Sequence, residues 1–127
     1  MTPVWVSSAL STFGARMGLP DFRLNEAGVA SATFENGCVL AFEFLRDALH
    51  VSVRLPYAAD DGTMKRLLSL AHPANRMPFL LRTAYLHRKG MALLTVRLGE
   101  RQVTPTVLDA VFSGLWDLAR RIGGVAA

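Results

Sequence analysis

Residues 27–57 read AGVASATFENGCVLAFEFLRDALHVSVRLPY, and the turns and apolar residues of this stretch decide the fold. Asn36-Gly37 stands between two runs of strand-forming residues, which is the strongest short-range signal for a β-hairpin. A second turn is predicted near Arg46-Asp47-Ala48, and apolar and polar side chains alternate from residue 49 to residue 55. The stretch therefore predicts a three-stranded antiparallel meander that ends at Pro56.

The alternation predicts which side chains share a face of the sheet. In the second strand, one face is expected to carry Leu40, Phe42 and Phe44, and the other Val39, Ala41, Glu43 and Leu45. In the third strand, His50, Ser52 and Arg54 are expected on the polar side. Glu43 interrupts an apolar run, so two interpretations stay open: it points to solvent, or it meets a cation such as Arg54 on a neighbouring strand.

Apolar residues at helical spacing predict three helices around this meander. The first covers about residues 4–17 and stops at Gly18 and Pro20, and the second follows the acidic residues 60–61 and ends at Pro73. The third takes Thr104 as its cap and Pro105 as its first residue. The apolar stripes of the first and third helices comprise Val4, Trp5, Ala9, Phe13 and Met17, and Leu108, Val111, Phe112, Leu115, Leu118, Ala119 and Ile122.

Two further strands are predicted at residues 79–87 and 91–98, joined by a turn at residues 88–90. The order is then helix, three strands, helix, two strands, helix, in one domain that covers residues 1–127. This order predicts an α+β fold, in which helices pack on one face of an antiparallel sheet and the other face is available for a partner.

Composition narrows the class of protein. The chain is 51% hydrophobic and only 19% charged, which excludes intrinsic disorder and suggests apolar surface beyond a core. The single cysteine, Cys38, stands in an apolar run, cannot form an internal disulfide and is compatible with a reducing cytosol. We expect neither a signal peptide nor a transmembrane segment, and therefore a cytoplasmic protein that does not bind a membrane.

The sequence shows no pattern typical of an enzyme. His50, His72 and His87 are far apart, and none has a second ligand at metal-binding spacing. No nucleophile motif and no glycine-rich phosphate loop is present. We therefore expect no catalytic residues, no metal site and no cofactor.

Two binding functions are compatible with the sequence. The net charge of +4 and the cations of the later hairpin and the end of the last helix could form a basic patch that binds nucleic acid, although no run of five cations occurs. The alternative is that Arg88-Lys89 form a solvated turn and that Arg120-Arg121 complement the C-terminus of the helix. The cations in question are Arg76, Arg82, His87, Arg88, Lys89, Arg97, Arg101, Arg120 and Arg121. The second strand, which is apolar on both faces, favours instead either an ordinary dimer contact or the binding of an extended polypeptide.

Several local motifs, taken in order, are similar to those of the class I chaperones of bacterial type III secretion. In the first half of the chain they are the end of the first helix at residues 17–20, the segment at residues 24–28, and the turn at residues 35–37 with the apolar strand after it. In the second half they are the Leu67-Leu68-x-Leu70 helix that ends near Asn75, and the Thr104-Pro105 helix that carries Phe112 and Trp116. The resemblance covers nearly the whole chain. One departure is that such chaperones are usually acidic, whereas this chain has a pI of about 10.0.

The resemblance implies a non-enzymatic homodimer that holds the N-terminal region of a secreted effector or gate-keeper protein in extended form. It also leaves open a heterodimer with a second chaperone. The dimer interface that it implies would comprise Met64, Leu67, Leu68 and Ala71 of the middle helix, and Leu81, Thr83 and Tyr85 of the fourth strand. The implied substrate contacts would come from Val39, Ala41 and Leu45 of the first hairpin and from the first helix near Phe13.

Overall fold

A computed structural model describes residues 2–19, 21–34, 37–56, 81–86 and 91–121 of the chain. Its elements within these ranges are α1 (Val4–Arg16), β1 (Val29–Thr33), β2 (Val39–Leu45), β3 (Ala48–Pro56), β4 (Leu81–Leu86), β5 (Met91–Gly99), a 3₁₀ turn (Glu100–Gln102) and α2 (Pro105–Arg121). The predicted middle helix and the predicted turn at residues 88–90 lie outside the described residues.

All five strands form one antiparallel sheet in the order β1-β2-β3-β5-β4. The first three strands follow the chain, as the meander prediction requires, and β5 then pairs with β3, which places β4 at an edge. The predicted antiparallel α+β fold is confirmed. β3 therefore lies at the centre of the sheet, with β2 and β1 on one side and the hairpin of β5 and β4 on the other.

The strand pairing of both hairpins of the meander follows the sequence prediction. Arg46 and Asp47 form a two-residue loop with φ of 52° and 61°, which is the pattern of a type I′ turn. In the first hairpin, the backbone N–H of Phe34 donates to the carbonyl of Cys38 at 2.8 Å, and the intervening Asn36 lies outside the described residues. These turns set the register that gives each strand a core side and an outer side.

The core lies between the two helices and one face of the sheet. Leu40 and Phe42, which the alternation predicts on one face of β2, are fully buried on this side. The side chains of β3 and β5 that belong to the same cluster are Leu49, Val51, Val53 and Leu55, and Leu94, Val96 and Leu98. Full burial of each such side chain is worth about 1.5–3 kcal/mol relative to exposure, so this face holds the domain together.

The stripe predicted for α1 is partly wrong. Val4 and Trp5 are exposed, and Val6 and Leu10 are buried in their place. The reason is geometric, since positions 6, 9, 10 and 13 follow the i, i+3, i+4, i+7 pattern of one helix face and positions 4 and 5 do not.

The start of α2 is as predicted. The hydroxyl oxygen of Thr104 accepts a hydrogen bond from the backbone N–H of Val107 at 3.1 Å, and Pro105 is the first helical residue. Of the predicted stripe, Leu108, Val111, Leu115 and Ala119 are fully buried and Phe112 is half-buried. Arg16 of α1 and Asp109 of α2 form an ion pair at 2.6 Å, which joins the two helices at the surface.

Candidate functional site

The outer face of the sheet is the main candidate surface. We call it the open face, because both described helices pack on the opposite side. Pairing across the strands places Ser31, Ala41, Ser52, Thr95 and Arg82 in one row on this face. A second row runs through Val29, Glu43, His50 and Arg97, and a third through Thr33, Val39, Arg54 and Leu93.

The three hairpin residues assigned to substrate contact all lie on the open face. Val39 and Ala41 are half-buried, and Leu45, near the turn, is 50% exposed. This placement makes them accessible from the same side of the sheet, and their contact with a partner stays a prediction.

Phe13 lies elsewhere, and the expectation that it contacts a substrate is corrected. Its side chain is 0% exposed. The Phe13 ring packs edge-on against Phe42 and Phe112, with ring centroids 5.5 and 5.8 Å apart. Phe13 occupies the buried stripe of α1, so it anchors the helix to the sheet and offers no surface to a partner.

A row of half-buried aromatic rings, which the sequence analysis did not assign as a site, lies where β1 meets α2. Phe34 packs against Trp116 with ring centroids 5.2 Å apart, and Trp116 stacks on Phe112 at 5.6 Å. The i, i+4 spacing of Phe112 and Trp116 could have predicted this row, because residues at that spacing share one helix face. This row extends the buried Phe13 cluster to the surface.

The other half of the open face carries positive charge. A pocket with a volume of about 140 Å³ has His50, Arg82, Thr95 and Arg97 as its described lining residues, and we call it the cationic pocket. Three strands contribute to it: β3 supplies His50, β5 supplies Thr95 and Arg97, and β4 supplies Arg82. The Thr95 hydroxyl donates to the Val51 carbonyl at 3.2 Å, so its proton is already engaged. Among the described lining residues, the remaining donors are the two guanidinium groups and the imidazole.

Of the two interpretations of Glu43, the structure supports the one in which its side chain faces solvent. Its side chain is exposed, and its partner across β3 is His50 rather than Arg54, which instead lies opposite Val39. Arg54 is half-buried, and its Nε is buried without a hydrogen-bond partner among the described residues. Glu43 therefore flanks the cationic pocket on the β2 side without an ion pair to Arg54.

The residues assigned to a dimer interface are only partly within the described chain. Met64, Leu67, Leu68 and Ala71 lie outside it. Leu81, Thr83 and Tyr85 belong to the edge strand β4, where they pair with Val96, Leu94 and Ala92 of β5. Their role in an interface stays a prediction.

Cys38 is buried as predicted, with 1% of its surface exposed, and burial raises the pKa of its thiol. Within the described ranges, no three His, Cys, Asp or Glu side chains lie close enough together to hold a metal ion. No helix among the described residues is long and apolar enough to cross a membrane.

Comparison with known proteins identifies the family. The family model described as type III secretory system chaperone SycN matches residues 5–122. A comparison with curated proteins finds no match.

Solved structures agree with the family model in fold. A chain of the ExsC–ExsE complex is 25% identical, with a TM-score of 0.76 and coverage of 96% of each chain. A chain of the Yersinia pestis chaperone SycH in complex with a YscM2 fragment is 21% identical, with a TM-score of 0.71 and coverage of 93% of this chain and 99% of that one. A chain of the HopA1–SchA chaperone–effector complex is 14% identical, with a TM-score of 0.72 and coverage of 92% and 91%.

The resemblance noted in the sequence is therefore confirmed, and the alternative of a nucleic-acid-binding domain finds no support in these comparisons. The family match spans the first helix, the sheet that carries the open face, and the last helix. The chain belongs to the type III secretory system chaperone SycN family.

Proposed function

We propose that this chaperone binds the N-terminal region of a secreted effector or gate-keeper protein in extended form, in the bacterial cytoplasm, and keeps it soluble and competent for export. The family match supports the chaperone role, and similar structures include a chaperone–effector complex. Binding and release suffice for this role, so the proposal includes neither a nucleotide nor a catalytic step.

The observation that carries this proposal is the open face. Val39, Ala41 and Leu45 supply apolar surface on one side of it, and burial of such surface is worth about 25 cal/mol per Å². β1 and β4 are the edge strands of the described sheet, and a free edge can hydrogen-bond an added strand through the backbone alone. An extended segment can therefore gain affinity from side chains on the face and register from an edge.

The proposal includes a homodimer, with a heterodimer of two different chaperones as the variant arrangement. The apolar stripe predicted in the sequence at Met64, Leu67, Leu68 and Ala71 supports it, together with the edge position of β4. Two copies would double the apolar surface offered to one bound segment.

Co-expression with a candidate secreted protein tests the binding role. We expect a complex of two chaperone chains and one partner by light scattering, in which the N-terminal region of the partner resists limited proteolysis. Complete digestion of that region, or equal binding of a partner that lacks it, would contradict the proposal.

A matched pair of variants assigns the binding surface. Ala41→Glu places a charge on the apolar half of the open face, and we expect it to weaken the complex at least about tenfold. Ser8→Glu places the same charge on an exposed position of α1 and leaves binding unchanged. Equal effects of the two substitutions would remove the open face from the proposal.

The interface is tested separately. Leu68→Asp introduces a charge into the stripe predicted for the interface, so we expect a monomer by light scattering. Ser69→Asp, outside that stripe, is the control and stays dimeric. An unchanged dimer in Leu68→Asp would overturn the interface assignment.

A further inference from the structure

The cationic pocket gives the open face a chemical preference that the apolar residues do not. Arg82 and Arg97 are exposed, His50 and Thr95 are half-buried, and the four residues surround one depression of about 140 Å³. Glu43 lies in the same row as His50 and Arg97, opposite His50, but no ion pair between Glu43 and Arg82 or Arg97 is found among the described residues. The pocket thus presents two guanidinium groups that are not ion-paired within the described part of the chain.

The volume limits what the pocket can receive. A cavity of about 150 Å³ holds a group the size of benzene, whereas pockets for free small ligands usually measure about 300–1,000 Å³. The pocket therefore fits one side chain better than a nucleotide or a cofactor. Two guanidinium groups and an imidazole are well suited to a carboxylate, which accepts charge-assisted and bidentate hydrogen bonds.

The surroundings point to a side chain that belongs to a polypeptide. Ala41 lies in the same row as Thr95 and Arg82, two strands away from Thr95. Neighbouring strands are about 4.8 Å apart and an extended chain advances about 3.3 Å per residue, so a bound segment crosses that distance in about three to four residues. Such a segment would place an apolar residue over β2 and an acidic one over β5.

We infer that the cationic pocket receives an aspartate or glutamate side chain of the bound polypeptide, within about four residues of an apolar side chain that rests on Val39 and Ala41. This inference rests on the proposed function, because it names the chemistry of the segment which that function holds. It also gives the net charge of +4 a specific use, since Arg82 and Arg97 are part of the excess of basic residues.

The test uses a defined probe and needs no natural partner. The probe is a blocked peptide of about nine residues, with one leucine and one glutamate four positions later in a serine and threonine background, compared with the same peptide carrying glutamine. Binding is measured by NMR titration of the full chain, with the His50 ring proton signals and the Arg82 and Arg97 side-chain signals as reporters. We expect the glutamate peptide to shift these signals and to bind about tenfold more tightly than the glutamine peptide.

Variants of the protein complete the test. Arg82→Gln and Arg97→Gln should each remove most of the preference for glutamate, and thermal melts should remain unchanged because both side chains are exposed. Arg46→Gln removes an exposed arginine at the β2–β3 turn, outside the pocket, and should keep the preference. Equal binding of the two peptides, or shifts confined to other residues, would overturn the inference.

Two further outcomes would assign the pocket to another occupant and would also overturn the inference. One is tight, salt-sensitive binding of a single-stranded oligonucleotide that Arg97→Gln abolishes. The other is loss of dimer in Arg82→Gln or Arg97→Gln, which would make the pocket a contact between copies of this chain. If the co-expression experiment fails but the protein still prefers the glutamate peptide, only the proposed function is refuted. If co-expression gives the expected complex but the two peptides bind equally, only this inference is refuted.

Discussion

The indole N–H of Trp5 donates a hydrogen bond to the backbone carbonyl of Glu100 at 2.9 Å, across 95 residues of sequence. The same Glu100 donates its backbone N–H to the carbonyl of Asp47 at 3.1 Å. Trp5 is half exposed, so this bond and not burial decides its position. The first turn of α1, the 3₁₀ turn and the β2–β3 turn are thereby joined at one end of the sheet.

Removal of this indole donor should cost a small, measurable amount of stability. Trp5→Phe keeps the ring but loses the N–H, and we expect a decrease of about 1 kcal/mol in the free energy of unfolding. Urea denaturation measures it as a lower midpoint with an unchanged slope. Val4→Ala at the neighbouring position, which is 79% exposed, is the control and should change stability by less than about 0.5 kcal/mol. Equal effects would mean that the hydrogen bond contributes nothing.

Phe13 should behave as a core residue. Phe13→Ala leaves a cavity between α1 and the sheet, and we expect a loss of about 3–5 kcal/mol in the free energy of unfolding. The adjacent exposed Thr12→Ala should be close to neutral. If Phe13→Leu, a milder change, folded with full stability but lost partner binding, the assignment of Phe13 to the core alone would be wrong.

Gly14 is required by close packing rather than by backbone conformation. A Cβ atom at this position would lie 2.5 Å from the Cβ of Phe22 and 3.1 Å from the carbonyl oxygen of Leu19. Alanine favours a helix by about 1 kcal/mol over glycine, yet we expect Gly14→Ala to destabilise the chain because α1 would have to move. Ser11→Ala, at an exposed helix position, should be neutral or slightly stabilising in the same thermal melts. A raised melting temperature in Gly14→Ala would contradict the packing.

Substitutions in the β2–β3 turn should raise the free energy of unfolding of the chain. Both Arg46 and Asp47 have positive φ, which costs L-residues about 1–2 kcal/mol each relative to a relaxed conformation. The double substitution Arg46→Asn and Asp47→Gly supplies the residues that a type I′ turn prefers, and we expect stabilisation by about 1 kcal/mol in urea denaturation. Gly28→Ala is the opposite test, since Gly28 has a φ of 79° and a Cβ there would lie 3.0 Å from the carbonyl oxygen of Phe44. It should destabilise the chain, and the reverse order of the two effects would refute the strain argument.

The Cys38 thiol should make stability depend on pH in the alkaline range. Burial raises its pKa above the usual value of 9.0, so the folded chain keeps a proton that the unfolded chain loses. The contribution is fully present below pH 9 and is lost as the pH rises towards the folded pKa. We expect the unfolding free energy of the wild-type chain to fall more between about pH 8 and about pH 10 than that of Cys38→Ala. Parallel decreases in both proteins would show that other groups cause the effect.

Local chemistry in the sequence predicted the meander closely. The alternation predicted which side chains of β2 share a face, Leu40 with Phe42 and Val39 with Ala41, but not which of the two faces lies against the core. The cap at Thr104 was likewise readable, since it depends on a hydroxyl and a backbone N–H three residues apart.

The pairing of strands that are distant in the sequence could not be predicted from local chemistry. Arg82 and Arg97 were noted as cations of the later hairpin, but only the pairing of β5 with β3 brings them to His50. That pairing joins His50 to Arg97, 47 positions apart, and leaves no local signal. The helical spacing placed Phe13 correctly on the apolar stripe of α1, whereas the substrate contact implied by the family resemblance was wrong because that stripe packs against the sheet.

The burial of Cys38 also has a practical consequence for spectroscopy. The chain contains one cysteine, and its thiol is both shielded and held in the unreactive neutral form near neutral pH. A cysteine introduced at exposed Ser31, on the open face, would therefore be the preferred target of a maleimide or nitroxide reagent without removal of the native thiol. Spin-label distances between two such positions would then report the arrangement of chaperone copies directly, with the wild-type core intact.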